Sequence, residues 1–181
     1  LEYMVATINN FGGFYRTELY IHEARMHGGI IKPPCINKSY NETVIHGKEI
    51  YIGFMFLQSL ESKSIKKILE ERAKNGFFES LDDFIDRVPI SIEQITILIK
   101  IRAFDFTKRN KRALLWEAHM KINKTTFDEN IQTLFKTEKI SFKTPELPST
   151  QLEEAFDEME LIGFPLSDPF KLLLAPSRSK M

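Results

Sequence analysis

The stretch SLESKSIKKILEERAKNGFFESLDDFIDRVPISIEQITILIKIRAFDF, residues 59–106, decides the fold. Ile65, Ile68 and Leu69 recur at helical spacing and the pattern stops at Gly76, which predicts an amphipathic helix closed by a glycine. Ser80 with Asp83 three residues on is a variant capping box, and Ser91 with Gln94 repeats the device, so two more helices start there. The run Ile95, Ile97, Leu98, Ile99 and Ile101 is apolar on more than one side, which puts its helix at the centre of the unit. RNKRALLWEAHMKI, residues 109–122, reads as a final amphipathic helix, with Leu114, Leu115 and the single tryptophan, Trp116, assigned to the core. Four short helices joined by tight connections predict a small compact unit.

Working outward, Glu2 to Asn9 reads as a short helix closed by NNFGG, and Tyr15 to His27 as a second. GIIKPPCIN, residues 29–37, is a short extended piece followed by irregular loop. TVIHGKEIYIGF, residues 43–54, has two alternating β-branched runs around His46-Gly47 and predicts a hairpin. Beyond the helical unit, NKTTFDENIQTLFKTEKISFKTPELPST, residues 123–150, is polar with two prolines and one isolated apolar cluster, and reads as an extended linker. TQLEEAFDEMELIGF is helical again, with Leu152, Phe156, Met159 and Leu161 as its apolar stripe. The fold class is therefore mainly α with a small β element.

Little chemistry is encoded. HEARMH places His22 and His27 at i and i+5, roughly 140° apart around a helix of about 3.6 residues per turn, whereas zinc-protease ligands need i and i+4. The expected reading is an amphipathic helix with Leu19, Ile21, Ala24 and Met26 inward and the histidines at the rim, without metal at His22, His27 or Cys35. There is no glycine-rich phosphate cradle, no cysteine pair and no G-x-S-x-G elbow. Asp82, Asp83, Asp86, Asp128, Glu129 and the Glu153 to Glu160 set fall on helix surfaces or in the linker, so no catalytic site is expected within the chain. One cysteine suits a reducing cytosol. No apolar run approaches the roughly 20 residues of a membrane span, so no membrane partner is expected.

Lys plus Arg and Asp plus Glu both number 25 among the 181 residues, so composition alone makes no case for nucleic acid. That balance hides a local asymmetry. Residues 100–124 carry eight Lys/Arg against two acids, and residues 125–160 carry nine acids against three lysines. A basic block followed by an acidic one fits a nucleic-acid surface with a neighbouring tether, and equally two solvated helix faces.

The order of motifs resembles the bacterial C-family DNA polymerases, the DNA polymerase III alpha subunits. NNFGGFYRTELYIHEARMHGGIIKPPCINKS is similar to the end of their fingers, where a helix leads through a short strand into P-P-D/C-(I/V)-N-x-S. EIYIGFMFLQSLESKSIKKILEERAKNGFFESLDDFIDRV resembles the first half of their helix-hairpin-helix region, and LIKIRAFDFTKRNKRALLW its second half. FDENIQTLF stands where the family carries a sliding-clamp peptide. EEAFDEMELIGFPLSDPF resembles the entry to the later domains. The resemblance implies four parts: the end of the fingers over 1–48, a helix-hairpin-helix module over 49–122, a linker with the clamp peptide over 123–150, and over 151–181 a helix leading into a following domain.

The same resemblance implies part of a DNA-directed DNA polymerase, a nucleotidyltransferase of DNA replication whose palm, with its aspartates and Mg2+, would lie upstream of a chain that reads as excised. No cofactor is expected in the segment itself. Duplex DNA, the sliding clamp and the other holoenzyme subunits are the implied partners, in the bacterial cytoplasm at the nucleoid. The family's hairpin glycines correspond to Ser59 and Glu61 in the first hairpin, and to Arg102 and Lys108 in and after the second. A carboxylate at Glu61 repels phosphate, so the DNA grip is expected at Lys100, Arg102, Lys108, Arg109, Lys111 and Arg112. In the clamp peptide Ile131, Gln132, Thr133, Leu134 and Phe135, the last two match the family's apolar plug and Ile131 replaces its leading Gln. Arg16 and Arg25 lie in the fingers portion, within reach of phosphates or of helix-surface salt bridges. Cys35 and the lost glycines lean towards a secondary, error-prone alpha subunit, with the main replicase still open. The alternative is a free-standing helix-hairpin-helix DNA-binding or adaptor protein.

Overall fold

The computed structural model describes residues 1–128 and 150–166. Seven helices among them are α1 (Glu2–Asn9), α2 (Thr17–Met26), α3 (Ser62–Asn75), α4 (Leu81–Arg87), α5 (Ile92–Lys100), α6 (Lys111–Asp128) and α7 (Gln151–Ile162). Three short strands complete the fold: β1 (Ile30–Lys32), β2 (Val44–His46) and β3 (Glu49–Tyr51). Helix α6 runs on to Asp128, past the point near Asn123 where the sequence pattern turns polar.

The local signals act as the sequence predicts. Ser80 Oγ accepts from the Asp83 amide at 3.0 Å and Ser91 Oγ from the Gln94 amide at 3.4 Å, so each serine satisfies one of the orphan N–H groups at a helix start. Gly76 closes α3 at φ 81°, a left-handed cap that a side chain would strain. β2 and β3 form the expected antiparallel hairpin, with Ile45 opposite Ile50. The extended piece after α2 adds β1 in parallel to β3, with Ile31 opposite Ile50, giving the order β1-β3-β2. Gly53 then turns the chain against the Asn41–Thr43 backbone, where an added Cβ would lie 2.4 Å from the Glu42 carbonyl carbon.

Packing centres on phenylalanine. The Phe84 ring meets Phe78 at 5.0 Å and Phe104 at 5.1 Å between centroids, both edge-on, the geometry that ring quadrupoles favour. Ile68, Leu81, Ile95 and Leu98 surround this trio, all essentially inaccessible. The same cluster runs from Ile8 and Ile21 at one end to Leu161 and Phe164 at the other. α5 is central as expected, with Ile95, Leu98, Ile99 and Ile101 buried and Ile97 packed against them.

Three expectations are corrected. Trp116 is 54% exposed, because Leu114 and Ala118, each two residues away, take the buried face of α6. Leu19 and Met26 are exposed while Ile21 and Ala24 are buried on α2. On α7 the predicted stripe is mostly outward: Leu152, Phe156 and Met159 are exposed, and Ala155, Glu158, Leu161 and Ile162 face the core. At about 100° per residue, positions two apart point to opposite sides, and each misassigned residue except Leu152, at the first turn of α7, lies two positions from a buried one. Substitution of the core ring and of the indole should therefore separate. Phe84→Ala is expected to cost about 3–5 kcal/mol in urea unfolding, and Trp116→Ala about 0.5 kcal/mol or less, as for other surface substitutions.

Candidate nucleic-acid interface

Two tight turns flank the central helix. The first, Leu57 to Glu61, links a 3-10 turn at Phe54–Phe56 to α3, and Ser59 at its apex has φ 64°. The second follows α5, with Arg102 at φ 67°, and Lys108 closes the next 3-10 turn at φ 55°. These are three of the four positions that the resemblance set against family glycines. The left-handed backbone is thus retained without the residue that adopts it most cheaply. The fourth, Glu61, sits at φ −68° and needs no glycine.

One side chain fastens the first turn. Gln94 Oε1 accepts from the Glu61 amide at 2.7 Å, and its Nε2 donates to the Ser59 carbonyl at 2.9 Å. The sequence marks Gln94 only as a capping-box partner, and its burial on the core face of α5 is what gives it this second task. The Gln58 amide donates to the Leu161 carbonyl at the end of α7, at 2.7 Å. With Leu57 bonded to the Phe54 carbonyl and Leu60 to the Leu57 carbonyl, four of the first hairpin's N–H groups are already bonded within the chain.

The six predicted cations gather around the second turn, and the acidic face of α7 lies upon them. Lys100 Nζ is 3.1 Å from Glu160, and Arg102 holds Glu154 and Glu158 at 3.0 Å each. Lys111 pairs with Glu153 at 3.3 Å and also with Asp157, and Arg112 reaches Glu153 at 3.2 Å. Arg109 pairs with Glu117 on its own side of the structure. Lys108 has no ion-pair partner among the described residues. Glu158 is the buried member: its side chain is 3% exposed, and its second oxygen accepts from the Leu166 amide at 2.6 Å. Both carboxylate oxygens are thus satisfied, as a buried charge requires. Lys111 and Asp157 are also largely buried, with side chains 8% and 14% exposed, whereas the more exposed pairs are each worth about 0–1 kcal/mol.

A cleft of about 100 Å³ opens among these groups, lined by Arg102, Arg109, Lys111, Asp105 and Glu154. Burial pushes the Asp105 carboxyl above the usual carboxylate range, and neighbouring Arg102 opposes this. At Glu153 burial acts upward too, but Lys111 and Arg112 outweigh it and hold the carboxyl low. Arg25 donates to the Leu166 carbonyl, and Arg16 is exposed. His27 Nδ1 lies 2.9 Å from the Glu23 carbonyl of its own helix, and Cys35 is a free thiol. Among the described residues no group of three or more His, Cys, Asp or Glu converges on a metal position. No helix among them is long and apolar enough to cross a membrane. The clamp-peptide residues Ile131, Gln132, Thr133, Leu134 and Phe135 lie outside the described residues.

A helix-hairpin-helix motif family matches residues 28–114, which include both turns. The error-prone DNA polymerase of Mycobacterium tuberculosis is 32% identical over 108 residues, 59% of this chain and 10% of that protein. The DNA polymerase III alpha subunit of Aquifex aeolicus is 31% identical over 151 residues, 81% of the chain and 12% of the relative. That of Staphylococcus epidermidis is 29% identical over 173 residues, 92% of the chain and 16% of the relative. The chain belongs to the C-family DNA polymerase alpha subunits. It spans between a tenth and a sixth of the length of these alpha-subunit relatives. Both error-prone DNA polymerases and DNA polymerase III alpha subunits appear among them.

In this alpha-subunit segment, strain at the turns is the testable property. Ser59→Gly and Lys108→Gly should each raise stability by about 0.5–1 kcal/mol, the relief of left-handed backbone less the entropy that glycine adds to the unfolded chain. Glu61→Gly should bring no gain. Urea melts of the three variants check the assignment.

Proposed function

We propose that this segment is the DNA-holding part of a bacterial DNA-directed DNA polymerase and grips duplex phosphates at its second hairpin. Its residues for that task are Lys100, Arg102, Lys108, Arg109, Lys111 and Arg112. The observation that carries the reading is the left-handed turn at Arg102, at a helix-hairpin-helix position, with five further cations around it. Guanidinium and ammonium groups suit phosphate oxygens, and contacts to the DNA backbone carry no sequence information. Nucleotidyl transfer belongs, in this proposal, to a palm outside this sequence that holds the Mg2+, with the other polymerase III subunits assembled on the whole chain at the nucleoid. The four-part division at residues 48, 122 and 150 is part of the same proposal. An adaptor without a polymerase would use the same hairpins, but the relatives favour the polymerase.

A titration of duplex binding against salt tests the grip. Log affinity is expected to fall linearly with log salt, with a slope of about −0.9 per phosphate contacted. Lys108→Glu with Arg109→Glu changes cations that pair with no carboxylate of α7 among the described residues, and should weaken binding to every sequence alike and flatten the slope by about two. A flat salt profile in the unmodified chain would remove the proposal.

The clamp reading rests on sequence. Leu134 and Phe135 would plug an apolar pocket on the sliding clamp, with Ile131, Gln132 and Thr133 leading into it. A peptide of residues 128–138 should bind its own clamp saturably at micromolar concentration, and Leu134→Ala with Phe135→Ala should abolish binding. A peptide that shows no binding even at high micromolar concentration counts against this part alone.

A further inference from the structure

We propose that α7 is an internal competitor for duplex DNA, its oxygens occupying both hairpins in the free chain so that phosphates enter only by displacing those oxygens. The inference rests on the reading that the hairpin cations grip DNA, and it names the regulation of that site. Two independent sets of contacts carry it. At the second hairpin, Glu153, Glu154, Asp157, Glu158 and Glu160 pair with Lys100, Arg102, Lys111 and Arg112, four of the six cations assigned to phosphate contact. At the first, the carbonyl of Leu161 accepts from the Gln58 amide, the type of backbone donor with which such a hairpin meets a phosphate oxygen. One helix thus presents anionic or acceptor oxygens to both turns, as a DNA backbone would.

The spacing suits the task. Glu153, Asp157 and Glu160 stand on successive turns, about 5.4 Å apart along the axis for each full turn, so the face is a row of carboxylates. The apolar end of the helix keeps that row in place, because Leu161, Ile162, Phe164 and Leu166 are all buried. Glu158, fully satisfied by Arg102 and the Leu166 amide, belongs to this anchor. Glu153 and Glu160 are more exposed, with side chains 34% and 63% accessible, so an arriving phosphate can exchange with them while the helix stays seated. Competition is then local, between carboxylate and phosphate for the same cation, and a cation that keeps its carboxylate neutralises no phosphate and so frees none of the DNA's counterions.

The test uses the whole chain, a fluorescent duplex and a salt series. Glu153→Gln with Asp157→Asn and Glu160→Gln frees Lys111, Arg112 and Lys100 and spares Glu158. The variant should bind duplex about tenfold tighter at low salt, with a salt slope steeper by about two to three, close to 0.9 for each cation released. Met159→Gln, on the outward face of α7, should leave affinity and slope unchanged. Should the triple variant lose helix content by circular dichroism, Glu153→Gln and Glu160→Gln singly carry the test, with slopes steeper by about one. Neutralised variants that bind no better than the unmodified chain overturn the inference. If Lys108→Glu with Arg109→Glu still weakens binding in that case, the DNA reading survives. If all the proteins bind equally or not at all, both readings fall.

Discussion

A single buried amide holds the first hairpin. Gln94 bonds to the Ser59 carbonyl and to the Glu61 amide, so the left-handed turn at Ser59 is clamped from the start of α5. The other end of α5 delivers the second left-handed turn at Arg102. The nine residues Ile92–Lys100 therefore act as a ruler of about 13 Å, at 1.5 Å per residue, between the two turns. Ile95, Leu98 and Ile99 of α5 share one buried cluster with the Phe78, Phe84 and Phe104 rings, which ties that ruler to the core. The turn at Arg102, on which the proposed DNA contact centres, is fixed by the same helix.

What the sequence revealed depended on how local the signal was. Serine caps, the Gly76 stop and the β2–β3 hairpin are decided within a few residues, and they fold as read. The three left-handed turns were legible only through the family's glycine positions, since Ser59, Arg102 and Lys108 themselves carry no mark of positive φ. Faces were harder. Trp116, Leu19, Met26, Leu152, Phe156 and Met159 are as apolar as their buried neighbours, and hydrophobicity alone could not rank two competing stripes on one helix. What ranked them was the opposite surface, which is a long-range fact. On α7 the facing surface is cationic, so the stripe containing Glu154 and Glu158 went inward and the one containing Phe156 went out.

The same long-range fact explains the charge pattern. The basic block at 100–124 and the acidic α7 read along the chain as two separate features, but in space they largely form one. Five of the six candidate contact cations are paired, four of them by α7. The parallel addition of β1 to β3 is a smaller example, since Pro33-Pro34 and the loop after them hid which strand Ile30–Lys32 would join.

Pairing of the two blocks also bears on how fast DNA is found. A concentrated positive patch attracts a polyanion from a distance and raises the association rate by one to three orders of magnitude. A patch covered by its own counter-charges projects little field beyond a Debye length of about 10 Å, so the segment gains little from such steering. Capture then falls to attachment: a module carried to the duplex by a neighbouring domain or a ring around the DNA meets it at the millimolar effective concentration of a short tether. A grip that is muted in free diffusion and engages once held near the duplex would ignore stray DNA and act where the assembly has already loaded.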